Sequence, residues 1–129
     1  MAVEQPGFSV TLKAGQDLST AQYTFVKLSA DNTVVQCSAT TDNPVGVLQN
    51  TPGSLGAAEV MVVGLTKLKA GGSLGYGVLV GTDASGKGTS VVSGTSGTVA
   101  YPKGMVVTGN TASNGIDSAL IGLPIQRAF

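Results

Sequence analysis

The residues of this 129-residue chain best placed by spacing to do chemistry are Gly81-Thr-Asp-Ala-Ser-Gly86-Lys87. That string satisfies G-x-x-x-x-G-K, the pattern in which backbone N–H groups cradle phosphates and the lysine reaches them. The pattern next needs Ser or Thr for magnesium, and this chain has Gly88. It also needs a helix N-terminus behind the loop, whereas Thr-Ser-Val-Val follows, a strand pattern. The string reads as a hairpin turn carrying a solvated lysine. Histidine is absent and Cys37 is alone, so a Ser-His-Asp triad and a zinc site with nitrogen or sulfur ligands are both excluded. Cys37 shares a strand face with Val35 and Ala39 and reads as a small buried hydrophobe with no base to activate it.

Seven carboxylates remain: Glu4, Asp17, Asp31, Asp42, Glu59, Asp83 and Asp117. Most are Asp in or beside turns, where the side chain usually serves the backbone. No spacing singles out a glycosidase-like pair, and Asp83-Ala-Ser85-Gly86 lacks the ligand count of a calcium loop. Three Tyr, three Phe and no Trp leave little for a stacking platform. The expectation is a protein that is not an enzyme and needs no metal or other cofactor.

The elements that must position any working surface read as all-β. Gly is 19 of 129 residues, and Gly or Pro interrupts nearly every window long enough for a stable helix. Yet 42% of residues are hydrophobic, which favours a packed domain over disorder. Phe8, Val10 and Leu12 alternate with polar residues as a first strand. Asp17 or Ser19 could cap one short helical turn over 18–22. Tyr23 to Leu28 and Thr33 to Ala39 form a hairpin around Asp31-Asn32. Val45 to Gln49 is a short strand, and Ala58 to Leu65, apolar on both faces, is the central one. Leu74, Tyr76, Val78 and Val80 alternate with Gly75, Gly77, Leu79 and Gly81, predicting a strand with one face toward a core. Short strands follow at 89–92, 98–101 and 105–108, then a polar loop from Gly109 to Asp117. Ala119, Ile121, Leu123 and Ile125 close the sheet. Strands this short and this evenly spaced indicate a small single-domain β-barrel or β-sandwich with at most one short helix.

Seven basic and seven acidic residues give zero net charge, which does not favour nucleic acid and does favour association. No window has the roughly 18 apolar residues of a membrane helix, and Met1 to Phe8 lacks the pattern of a signal peptide. A protein made in a cytoplasm, with no membrane partner, is expected.

The order of elements resembles a known family. Leu12-Lys-Ala-Gly-Gln-Asp-Leu-Ser19, Gln22-Tyr23, Phe25-Val-Lys-Leu28, Pro44-Val-Gly-Val-Leu-Gln-Asn50, Gly64-Leu-Thr-Lys67, Ala70-Gly71 and Thr82-Asp-Ala-Ser-Gly-Lys87 are similar in type and spacing to the capsid cement, or head decoration, proteins of tailed bacteriophages. The resemblance spans Phe8 to Leu123. Where the family has a Gly-Asp-x-Leu piece, this chain has Gly75-Tyr-Gly-Val-Leu79. The resemblance implies a structural virion protein, made in the host cytoplasm, that binds the outer surface of an expanded icosahedral shell. It implies the major capsid protein as partner, bridging of capsomers, a homotrimer, and no catalytic residues. A virion-surface or cell-surface adhesin-like module is the alternative.

The chain divides into an arm, residues 1–7, and one β domain, residues 8–129. The arm has too few apolar residues to fold on itself, so Ala2, Val3, Glu4, Gln5 and Pro6 are the candidate contacts to the capsid or a neighbouring subunit. The alternative is that the arm folds back on its own barrel. The loop from Gly109 to Asp117 is the other candidate surface.

Overall fold

The computed structural model describes residues 5–91, 101–109 and 114–122. Among the described residues, nine strands form one continuous sheet: β1 (Gln5–Ala14), β2 (Phe25–Ala30), β3 (Thr33–Gln36), β4 (Gly46–Leu48), β5 (Ala57–Lys69), β6 (Leu79–Thr82), β7 (Gly88–Ser90), β8 (Gly104–Thr108) and β9 (Ile116–Ile121). No helix occurs among the described residues. At 18–24 the chain instead makes two successive turns, Ala21 N–H to Leu18 O and Thr24 N–H to Ala21 O. Asp17 starts them by accepting the Ser19 N–H at 3.0 Å.

The sheet order is β1-β3-β2-β4-β5-β9-β8-β6-β7, and β1 also pairs with β5. That extra pairing closes the first five strands into a ring. β5 is the shared wall. It carries β1 along one edge, with Thr11 opposite Glu59 and Leu12 opposite Ala58. Along its other edge it carries first β4, then β9 from Gly64 to Lys69. The remaining strands return toward β5 through a parallel bridge between Ala70 and Gly88.

This arrangement explains why β5 is apolar on both faces. Ala58 and Val60 point into the ring with Leu18, Val26, Val34 and Leu48. Met61 and Leu68 belong to a second core with Phe25, Val47, Val80, Val106 and Ala119. Successive side chains of a strand point to opposite sides, so one 13-residue strand can seal two cores. Phe25 is the largest fully buried side chain, and its truncation to Ala costs about 3–5 kcal/mol on the scale of such deletions.

Several expected boundaries move. The alternation from Leu74 to Val80 is not one strand. Only Leu79–Thr82 is β6, Leu74 is buried, and Tyr76 stands 82% exposed. Gly77 at φ +78° turns the chain there, donating its N–H to Val106 O at 2.7 Å. Tyr23 precedes β2 in a turn, at φ +65°. β5 runs on past Leu65 to Lys69 because β9 pairs with that extension. The stretch expected to be loop up to Asp117 is already strand at Ile116, and Asp117 is buried. The expected strand at 98–101 lies largely outside the described residues, as do Leu123 and Ile125.

Candidate interaction surface

The phosphate-loop look-alike is a hairpin turn between β6 and β7. Asp83 Oδ1 accepts the N–H of Ser85 at 2.7 Å and of Lys87 at 2.9 Å. The carbonyls of the turn are also spoken for. Phe25 N–H donates to Gly86 O at 2.7 Å, and Gln36 Nε2 donates to Ser85 O at 2.9 Å. The turn is therefore a clasp onto β2 and β3.

Other carboxylates serve the backbone in the same way. Asp42 Oδ2 accepts the N–H groups of Ser38 at 2.8 Å and Ala39 at 3.0 Å, and pairs with Lys27 Nζ at 2.9 Å. Burial pushes this carboxyl up, but the two amides and the lysine outweigh it and hold it below the ordinary carboxylate value. Glu59 accepts the Thr11 hydroxyl across the β1–β5 ladder. No group of three residues that could hold a metal ion occurs among the described residues.

Cys37 is buried beside Thr82, and burial pushes its thiol up to about 12. Lys103, also buried, is pushed down by the same loss of solvent, which outweighs the pull that a Cys37 thiolate would exert. A thiol held this far above neutrality carries almost no thiolate, so Cys37 is a core residue in practice.

Three of the exposed apolar residues, Leu79, Met105 and Leu120, form a row with Leu65. Leu79 is opposite Met105, Met105 is opposite Leu120, and Leu120 is opposite Leu65, across β6, β8, β9 and β5. Directly opposed residues share a face. Leu79, Met105 and Leu120 are 45%, 44% and 55% exposed. Exposed Val63 and Val107 neighbour this row on β5 and β8. Clustered apolar surface of this kind marks interaction sites. Strand periodicity located none of it, because the row runs across strands distant in sequence. Val60 and Met61 of the two-faced strand are buried within the subunit itself.

Of the arm residues, Gln5 pairs with Leu65 and Pro6 with Gly64 of this chain's own β5. Ala2, Val3 and Glu4 lie outside the described residues. Gln5 thus meets Leu65 at the end of the apolar row.

No protein-family model matches the sequence, and no curated protein matches it. Among solved structures, the fold is similar to that of the head fiber gp8.5 N base in bacteriophage phi29. The TM-score is 0.61 at 14% identity, over 89% of this chain and 93% of that one. At that identity the likeness is one of fold.

Proposed function

We propose that this chain is a structural protein of a tailed-phage virion that decorates the outer surface of the head, binds the major capsid protein and bridges its capsomers. The observation that carries the reading is the fold shared, over nearly the whole of both chains, with the base of a phage head fiber. The apolar row of Leu79, Met105 and Leu120 supplies a surface to lay against a shell. Cement of this kind binds the assembled lattice and not free subunits, so it stabilises the lattice by mass action. Modest contacts repeated around a shell add through multivalency. Zero net charge is compatible with grouping of copies, here proposed as trimers. In this role the chain performs no catalysis and needs no cofactor.

The test is to mix purified protein with heads of the parent phage that lack it, expanded and unexpanded, and sediment them. Saturable binding to expanded heads, with a raised disruption temperature, is expected. No binding to either form overturns the proposal. The likeness to a fiber base also favours a second reading, attachment of a projecting fiber. Electron micrographs of the decorated heads separate the two, as low knobs or as extended fibers.

A further inference from the structure

The five-stranded ring is open at one end, and the opening is apolar. A cleft of about 450 Å³ there is lined by Phe8, Val10, Leu12, Leu28, Val45 and Val62. Phe8 and Leu28 are 62% and 56% exposed. The cleft arises because β1 overruns its neighbour. β3 pairs with β1 only at Lys13 and Ala14, beyond the tip of the β2–β3 hairpin. From Phe8 to Leu12, β1 is paired with β5 alone.

The polarity of that open edge can be read from its end. Lys13 N–H donates to Asn32 O, on the β3 side, whereas Ala14 N–H donates to Gly56 O, on the β5 side. Backbone groups of a strand alternate sides, so Ser9 and Thr11 turn their N–H and C=O toward the open edge, while Val10 and Leu12 bond to β5. Two donors and two acceptors thus stand unpaired beside an apolar cleft. Unpaired edge groups of this kind are a template for another strand. Among the described residues of the lining, the exposed Asp31 on the hairpin tip is the one that carries charge.

We propose that this mouth accepts an extended segment of a partner polypeptide, added as a strand to β1 at Ser9 and Thr11. Its bulky apolar side chains, two residues apart, fill the cleft against Val10, Leu28 and Val62. A basic residue of the segment faces Asp31. The backbone edge selects an extended peptide over a small apolar molecule, because only a peptide satisfies donors and acceptors in strand register. The carboxylate at the rim selects a basic segment over an acidic one. This inference goes beyond the virion role and does not depend on it.

The probe is the blocked peptide acetyl-Thr-Val-Thr-Val-Thr-Lys-amide at millimolar concentration, read by amide hydrogen exchange on the full-length chain. In the free protein the Val10 and Leu12 amides exchange slowly and those of Ser9 and Thr11 fast. On binding, exchange at Ser9 and Thr11 slows by at least about tenfold, in the alternating pattern that strand addition requires. Thr11→Pro removes one edge donor and weakens binding. Leu28→Lys, at an exposed position, weakens it without threatening the fold, so the test survives if the proline variant does not fold. Asp31→Lys disfavours the lysine probe and favours the same peptide ending in Glu. Binding without protection at Ser9 and Thr11, or no binding at all, overturns the proposal. Protection of those amides in concentrated protein alone also overturns it, since the occupant is then a second copy.

Discussion

The backbone N–H of Phe25 donates to the carbonyl of Gly86 at 2.7 Å, joining the first residue of β2 to a turn some sixty residues later. Phe25 is the largest buried side chain, and Gly86 sits in the turn that imitates a phosphate loop. The glycine is required there twice. Its φ is +78°, and an added Cβ would lie 3.1 Å from Phe25 O and 2.8 Å from Gln36 Cγ. Gly86→Ala is therefore expected to lower stability by about 1–3 kcal/mol, from left-handed strain and the crowded contact. Chemical denaturation measures this. Lys87→Ala, one residue on, should change stability by less than about 0.5 kcal/mol and leave head binding intact. ATP binding that disappears in that variant would restore the phosphate-loop reading.

Cys37 should resist thiol reagents. With its thiol raised to about 12, the native protein is expected to label slowly even at pH 9, and rapidly once unfolded. The same shift makes stability depend on pH. The unfolded thiol loses its proton near about 8.5 while the folded one keeps it, so the unfolded state binds fewer protons between those values. Stability should therefore be constant in this respect below about pH 8.5 and fall as pH rises toward 12. Cys37→Ala should flatten that alkaline decline. An unchanged alkaline profile in the alanine variant would assign the decline to other groups.

The all-β class and the central role of β5 were legible because they rest on local rules. Two apolar faces on one strand mean burial on both sides, and Met61 and Val60 occupy separate cores for that reason. The turn Asp residues were legible too, since Asp17, Asp42 and Asp83 cap backbone amides within four residues of themselves. The Leu74–Val80 alternation misled. Its glycines give the period of a strand but also permit the turn at Gly77. The surfaces were not legible. The row from Leu79 to Leu65 and the cleft between Val10 and Leu28 depend on pairing between distant strands. Period-2 patterning along one strand carries no record of which strand lies beside it.

Asp42 ties the chain after β3 by accepting two backbone N–H hydrogen bonds and forming one ion pair. Asp42→Ala should cost about 1–2 kcal/mol at neutral pH, shared between the two charge-assisted amide hydrogen bonds and the partly buried ion pair to Lys27. The folded carboxyl titrates below its unfolded value. Its contribution is thus fully present above about pH 4 and is lost as pH falls through the lower folded value. Wild type and variant should converge in stability toward pH 2 in parallel denaturation series. A difference that persists undiminished in acid would mean that the carboxylate charge plays no part.

Met105 and Leu120 face each other across β8 and β9 with about half of each side chain in water. The double variant Met105→Asp, Leu120→Asp should keep its β circular dichroism and lose about 1–3 kcal/mol, because each residue is half-buried, Asp is disfavoured in strands and the two charges stand opposite each other. Two carboxylates placed side by side repel, but they remain solvated and screened at physiological salt. If the row lies against the shell, those charges must be desolvated on docking, where each unpaired one costs several kcal/mol. Sedimentation with expanded heads should then fall by well over tenfold, with the free protein still folded. The matched control is Leu55→Asp, at a residue 69% exposed just before β5 and at the opposite end of that strand from Leu65. Equal loss of binding in the control would point to general charge repulsion by the head. Full binding by the double variant would remove the row from the docking face and leave the N-terminal residues, Ala2 to Pro6, as the surface to truncate next.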